Sequence, residues 1–287
     1  MVRPQLVATS GGVVEVLQVP GERPPVLFFP GGHSRAETDC GWSLYAELGH
    51  GVLSFSRPGY GRTRVGRLGA AEFAPLVGEV CARLGLSSVA AVVGVSFGGL
   101  QAVQIAAAQQ PITRRLVLHS CAPSTLPYPD RRAEAVLGPV VFSPLLQGLV
   151  WWAIRGAVRS DEGLRAMMAP LSNLPAGQWW EAMSPADRDT ARALFRSMRS
   201  DSGFSNDLRQ GRPADGGMRL DAMSRVSCPT LVTASRHDGG VSFAHAEDFA
   251  RVIPDAGLVE LDSPTHLFWI GPQRERLLSL LCSFIGD

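Results

Sequence analysis

Three residue types that together perform nucleophilic catalysis occur at separate positions in this chain. Ser96 lies in the sequence GVSFG, Asp238 in SRHDGG and His266 in SPTH. A serine hydroxyl is a weak nucleophile until a neighbouring base accepts its proton, and histidine commonly serves as that base. A carboxylate then holds the imidazole in one tautomer and stabilises its charged form. The order Ser, Asp, His therefore predicts an activated serine.

The G-x-S-x-G sequence around Ser96 is typical of a sharp turn between a strand and a helix. Residues 89–93 form a valine-rich run that predicts a buried strand, and Leu100 and Val103 have helical spacing. Such a turn strains the backbone of the serine, and the flanking glycines let its neighbours come close without Cβ atoms. The hydroxyl then stands clear at the end of the strand, and the helix N–H groups point at the group that it attacks.

Alternating strand and helix patterns predict a mostly parallel sheet with helices on both faces. The predicted strands are residues 5–9, 13–17, 26–29, 52–55, 89–93, 115–119, 229–234 and 258–261, of which the first two form an antiparallel pair. Asp238 follows the penultimate strand and His266 follows the last. Open α/β sheets place their sites where the carboxyl ends of the strands meet. Asp262 and Asp221 are alternatives for the acid, and His237 for the base.

The pattern changes between residues 121 and 217, where prolines open the region and no strand is predicted. Helical patterns run through residues 145–158, 163–168, 179–183 and 187–198. We expect a helical cap inserted in an α/β core. The expected boundaries are residues 1–122 for the first part of the core, 123–216 for the cap and 217–287 for the second part of the core.

The sequence resembles the α/β-hydrolase fold superfamily, in its group of capped serine hydrolases. The resemblance covers essentially the whole chain. It depends on three motifs, GVSFGG at Ser96, SRHDGGV at Asp238 and SPTHL at His266. The sequence SRPGYGRT at residues 56–63 is also similar to a glycine-rich loop of the family. It implies a mostly parallel eight-stranded sheet with helices on both faces and a helical cap insertion. It also implies the catalytic residues Ser96, Asp238 and His266.

The family resemblance further implies an oxyanion hole formed by the backbone N–H groups of Gly32 and Phe97. The chain departs from the family here, because Pro30-Gly31 stands where His-Gly is usual. A proline cannot supply the side-chain hydrogen bonds that usually brace this loop. Another residue must therefore brace this loop.

Aromatic and methionine side chains in the expected cap predict an apolar pocket above Ser96. The residues expected to bind substrate are His33, Trp151, Trp152 and Leu267. His33 has two interpretations, a loop histidine bonded to the backbone or a polar contact to substrate. Asp207, near the end of the cap, resembles an acidic position of several relatives, and we expect it to be structural.

Composition excludes several classes of function. The net charge is +1 and all 27 basic residues are arginine, so the chain lacks the basic excess of nucleic-acid-binding proteins. Its five cysteines are dispersed, as in a cytoplasmic protein with reduced thiols, and no spacing indicates a metal site. The first residues lack the apolar core of a signal peptide. We expect a cytoplasmic protein without cofactor or membrane partner that acts on a small-molecule acyl substrate, and a homodimer is compatible with the sequence.

The leading hypothesis is hydrolysis of a small, rather hydrophobic carboxylic ester, thioester or lactone through an acyl-serine intermediate. Two alternatives use the same triad, a C–C bond hydrolase and an aminopeptidase of the kind that releases proline. A third alternative is a ligand-binding receptor without catalysis. Aspartate nucleophiles, as in haloalkane dehalogenases and epoxide hydrolases, are disfavoured because Ser96 stands at that position.

Overall fold

The structure is a computed structural model that describes residues 3–109, 111–130, 138, 140–143 and 145–286. Residues 131–137, 139 and 144 of the expected cap lie outside the described residues. The strands are β1 Gln5–Thr9, β2 Gly12–Val19, β3 Arg23–Phe29, β4 His50–Phe55, β5 Ser88–Val89, β6 Ala91–Val95, β7 Ile112–Thr113, β8 Leu116–His119, β9 Thr230–Ala234 and β10 Ala256–Glu260. The helices are α1 Trp42–Glu47, α2 Ala70–Arg83, α3 Gly99–Ala108, α4 Gln147–Ala157, α5 Asp161–Met168, α6 Ala176–Trp179, α7 Pro185–Ser197, α8 Gly203–Gln210, α9 Gly216–Ser224, α10 Phe243–Val252 and α11 Arg274–Ile285.

In the described part of the chain, eight strands form one sheet in the order β1-β2-β4-β3-β6-β8-β9-β10. β1 and β2 pair antiparallel, β2 pairs antiparallel with β4, and the other strands run parallel. The fold class expected from the sequence is confirmed. A separate pair of two-residue strands, β5 and β7, interrupts the predicted strand 89–93 after Val89, so the central strand begins at Ala91 instead.

Helices cover both faces of the sheet because the side chains of its central strands alternate between two apolar cores. Leu27 and Phe29 pack in one core with α2, α3, α9 and α10, whereas Val26 and Phe28 pack in the other core with α1 and α11. This alternation follows from the two-residue period of a strand. Every residue of β4, β6, β8 and β9 is buried. Their predominantly apolar sequences are typical of parallel strands covered on both faces.

Between β8 and β9 the described residues form helices joined by turns and loops, and none of them belongs to the sheet. One isolated bridge joins Ser172 of this segment to Asp238, which follows β9. We call the part from α4 to α8, residues 147–210, the insertion. Three predicted helices, 145–158, 163–168 and 187–198, correspond to α4, α5 and α7. The predicted helix 179–183 is wrong, because α6 ends at Trp179 and residues 180–183 form turns. The insertion adds Trp179 and Leu194 to the core that contains Val26 and Phe28. It is therefore packed on the sheet domain through a shared apolar core.

Candidate active site

Ser96 lies at the end of β6, in a single 3-10 turn that leads directly into α3. Its φ angle is +51°, a left-handed conformation that strains a residue with a Cβ atom. The turn closes because Gly98 has no side chain, since a Cβ atom there would lie 1.9 Å from the carbonyl oxygen of Phe29. The predicted strand, turn and helix around the serine are thus present.

His266 and Asp238 form a direct pair. His266 Nδ1 lies 2.7 Å from Asp238 Oδ2, and the other carboxylate oxygen accepts the N–H groups of Gly240 at 2.7 Å and Val241 at 2.9 Å. Burial disfavours the charged imidazole, but the carboxylate of Asp238 more than offsets this and raises the pKa of His266 above its usual value. With Nδ1 donating to Asp238, the Nε2 atom of His266 is left to accept a proton.

The alternative acids and base lie elsewhere. Asp221 is exposed and pairs with Arg225 on the surface, and Asp262 is also exposed. His237 is half-buried and does not border the cavity that contains Ser96. Of the carboxylates considered from the sequence, Asp238 is therefore the one that meets His266.

Ser96 and His266 border one cavity of about 500 Å³, which lies between the sheet domain and the insertion. Its described wall contains no Asp, Glu, Lys or Arg side chain. The wall consists mainly of apolar and aromatic side chains, including Phe97, Val141, Phe142, Trp151, Ile154, Met167, Leu171, Phe195, Met198, Phe204, Leu267 and Trp269. Such a cavity suits a neutral, apolar ligand because a buried charge without a partner is costly.

The residues expected to bind substrate separate into two groups. His33, Trp151 and Leu267 border the cavity, as does Gly32 of the expected oxyanion hole. Trp152 does not, and 69% of its surface is exposed, so its assignment as a substrate-binding residue is wrong. Successive residues of an α-helix point about 100° apart. Because α4 turns Trp151 inward, Trp152 faces solvent.

The loop expected to form the oxyanion hole lies beside the serine. A Cβ atom on Gly31 would be 3.2 Å from Cβ of Ser96, and one on Gly32 would be 3.2 Å from the ring of Phe97. The two residues expected to donate, Gly32 and Phe97, are therefore neighbours in space. The absence of side chains at positions 31 and 32 lets this backbone approach Ser96 and Phe97.

Arg57 supplies the brace that Pro30 cannot. Its guanidinium donates to the carbonyl oxygens of Pro30 and Gly31, both at 2.9 Å. Asp207, from the insertion, accepts Arg57 at 2.5 and 2.8 Å and the hydroxyl of Tyr60 at 2.6 Å. Burial disfavours the charged guanidinium, but the carboxylate more than offsets this and holds the pKa of Arg57 above its usual value. Sequence reasoning identified Asp207 as structural but missed Arg57, although it lies in the glycine-rich loop SRPGYGRT.

The insertion is also attached to the loops that carry Asp238 and His266. The carbonyl oxygen of Leu171 accepts the backbone N–H of Gly239 at 3.1 Å and that of His266 at 2.8 Å. The N–H of Asn173 donates to the carbonyl oxygen of His237 at 2.8 Å. The insertion therefore contacts both loops through its backbone.

The described residues contain neither a metal-binding cluster nor a membrane-spanning helix. No group of three or more His, Cys, Asp or Glu side chains is arranged to hold a metal ion. Within the same residues, none of the helices is both long and apolar enough to cross a membrane.

Comparison with known proteins agrees with this architecture. The chain is 29% identical to the uncharacterized hydrolase YcgS of Bacillus subtilis strain 168, with 99% of this chain and 98% of that protein covered. A shorter match, 30% identical over 139 residues, covers 46% of this chain and 43% of the esterase Rv0045c of Mycobacterium tuberculosis. A solved α/β hydrolase fold protein from Nakamurella multipartita superposes with a TM-score of 0.77 at 26% identity, covering 97% of this chain and 99% of that one.

The sequence profile of the Alpha/beta hydrolase family matches residues 26–278. This range includes the serine turn, the insertion and the loops that carry Asp238 and His266. The chain belongs to the alpha/beta hydrolase family.

Proposed function

We propose that this protein hydrolyses small, neutral, rather hydrophobic carboxylic esters through an acyl-serine intermediate. The observation that carries the proposal is the hydrogen bond between His266 and Asp238 at a cavity that Ser96 also borders. The name of the partial relative, an esterase, supports the same reaction type.

In the first step, Nε2 of His266 takes the proton of the Ser96 hydroxyl while the Oγ atom of Ser96 bonds to the ester carbonyl carbon. The N–H groups of Gly32 and Phe97 stabilise the oxyanion, each donor contributing roughly 10²–10³ in rate. The carbon–oxygen bond to the alcohol then breaks, and His266 returns the proton to the leaving alcohol. A water molecule repeats the sequence on the acyl-serine and releases the acid. Asp238 keeps the imidazole in the required tautomer throughout.

The uncharged cavity wall favours esters over the aminopeptidase alternative. A substrate with a free ammonium group needs an acidic side chain near its binding position, and the described wall contains neither Asp nor Glu. A C–C bond hydrolase would use the same triad, and a receptor would bind without turnover. Fluorophosphonate labelling combined with ester turnover distinguishes these two alternatives from an esterase.

We also propose that residues 123–216 act as the cap over a core formed by residues 1–122 and 217–287. The contribution of Trp151, Ile154 and Phe195 to the cavity wall supports this division. In this arrangement the cap selects the substrate, while the core carries Ser96, Asp238 and His266.

The test is labelling of the purified protein with a fluorophosphonate, followed by location of the adduct by mass spectrometry. We expect an adduct on Ser96 that is absent in Ser96→Ala and strongly reduced in His266→Ala. Turnover of a p-nitrophenyl ester should fall by about 10⁶ in either variant, since the residues act as a unit. His237→Ala is the matched control, because that histidine adjoins Asp238 in sequence but does not border the cavity.

Absence of labelling in the folded wild-type protein, with ester turnover no faster than buffer, would refute the proposal and favour a receptor. Labelling of Ser96 without turnover of any ester would favour C–C bond hydrolysis.

A further inference from the structure

His33 follows Gly32 in the loop beside Ser96 and is held there in one position. Its φ angle is +60°, its N–H donates to the hydroxyl of Tyr60 at 3.3 Å, and its carbonyl accepts the N–H of Arg199 at 2.8 Å. Aromatic rings surround the imidazole, with centroids at 4.0 Å for Phe204, 4.5 Å for Phe142 and 5.2 Å for Trp151. The loop and the insertion thus both fix this side chain.

The hydrogen bonds of Ser200 assign the tautomer of His33. The Oγ atom of Ser200 accepts the indole N–H of Trp151 at 2.9 Å and lies 2.8 Å from Nδ1 of His33. Ser200 is fully buried, so its own proton needs an acceptor. Nδ1 of His33 is the acceptor within reach, which places the ring proton on Nε2.

The Nε2–H group of His33 is consequently a donor on the side of the ring away from Ser200. It makes no hydrogen bond to any residue that the structure describes, and His33 borders the cavity. Burial and the nearby charge of Arg57 lower the pKa of His33 to about 3, so the ring stays neutral at physiological pH. This donor is not used by the catalytic steps described above.

We propose that Nε2–H of His33 binds a neutral oxygen atom of the substrate, in an ether, carbonyl or hydroxyl group on the arm that lies under the insertion. This inference rests on the proposed ester hydrolysis and narrows its substrates to esters that carry a second oxygen acceptor. A carboxylate is a poor ligand here because the described wall holds no cationic side chain.

The consequence is a preference among isosteric substrates. An all-carbon arm leaves the Nε2–H group without a partner once water is displaced, whereas an ether oxygen at the same place accepts it. A neutral hydrogen bond of ordinary strength corresponds to a preference of about 3- to 10-fold in kcat/KM.

The experiment uses p-nitrophenyl heptanoate and isosteric esters in which an ether oxygen replaces one methylene at successive positions beyond the β-carbon. A second series places the oxygen in the alcohol arm. For each ester, kcat/KM is divided by that of the all-carbon ester on the same enzyme, so that losses common to both substrates cancel. We expect one position to be preferred by wild type about 3- to 10-fold and the preference to disappear in His33→Phe.

Ser200→Ala provides a second variant, because it removes the hydroxyl that fixes Nδ1 and should reduce the preference while His33 remains. The preference should stay constant between pH 5 and 8. A wild-type enzyme that favours all-carbon esters at every position, or a preference retained in His33→Phe, would overturn the inference. So would a preference that falls as pH rises through 6 to 7, since that result would indicate a charged His33. Fluorophosphonate labelling of Ser96 in each preparation separates these outcomes from failure of the proposed function.

Discussion

Replacing Asp207 with asparagine tests whether the buried ion pair holds the oxyanion loop. The substitution keeps the shape of the side chain and removes its charge. Arg57 is fully buried, so its guanidinium would lose the counter-charge in a place that water does not reach. Without that counter-charge the guanidinium is expected to move toward solvent. This movement would weaken its hydrogen bonds to the carbonyl oxygens of Pro30 and Gly31.

The expected magnitudes follow from the burial of the pair. Removing one partner of a buried ion pair costs about 3–5 kcal/mol in the free energy of unfolding. At about 2.1 cal/mol/K per residue, unfolding a chain of 287 residues has an entropy of about 0.6 kcal/mol/K, so Tm should fall by about 5–8 °C. Loss of one oxyanion donor costs roughly 10²–10³ in rate. Because a loosened loop keeps its donor part of the time, we expect kcat to fall by about 10- to 100-fold.

Calorimetry would give Tm, and ester turnover per fluorophosphonate-titrated site would give kcat free of inactive protein. Asp248→Asn is the matched control. That buried carboxylate accepts the N–H of Thr125 at 2.9 Å and lies on α10, so its loss should lower Tm and leave kcat within about twofold. A normal kcat in Asp207→Asn with a lowered Tm would refute the role of the pair in positioning the loop. An unchanged Tm would refute its role in stability.

Two further predictions concern the serine and its base. In the proposed mechanism neutral His266 accepts the proton of Ser96, and Asp238 raises the pKa of His266. We therefore expect kcat/KM, measured from pH 5 to 9, to rise with pH through an inflection above 6.5, and Asp238→Asn to move that inflection to lower pH. An inflection unmoved by the substitution would contradict the pairing. Ser96 has a left-handed backbone, which glycine adopts without strain and alanine does not. We therefore expect the free energy of unfolding of Ser96→Gly, measured with denaturant, to exceed that of Ser96→Ala by about 1–2 kcal/mol. Equal stability of the two variants would indicate an unstrained turn.

The sequence predicts features whose residues are adjacent in the chain, and features whose residues follow parallel strands and so meet at one edge of the sheet. The glycines around Ser96 and the hydrophobic strand before it predict the turn from a few adjacent residues, and Asp238 and His266 each follow a strand. Sequence reasoning failed at Trp152, because periodicity places two adjacent tryptophans on a helix without telling which one faces the sheet domain.

The Arg57–Asp207 pair could not be predicted in the same way. Its two residues are 150 positions apart in the sequence. The residues next to Arg57 do not indicate which distant carboxylate it pairs with. The network from Trp151 through Ser200 to His33 is similar, since it depends on how the insertion packs against the loop. Contacts between the insertion and the sheet domain depend on tertiary packing, so residue type and local spacing do not predict which side chains meet there.

The backbone contacts of Leu171 and Asn173 have a consequence for how ligands reach the cavity. An insertion that moved away as a rigid body would have to break the hydrogen bonds from the N–H groups of Gly239 and His266 to Leu171. It would therefore disturb the loops that carry Asp238 and His266. At the loop of Pro30 and Gly31, the same motion would pull Asp207 away from Arg57. Opening as a rigid body would break both attachments at once, so we expect ligands to enter and leave the cavity through local displacements of side chains between them.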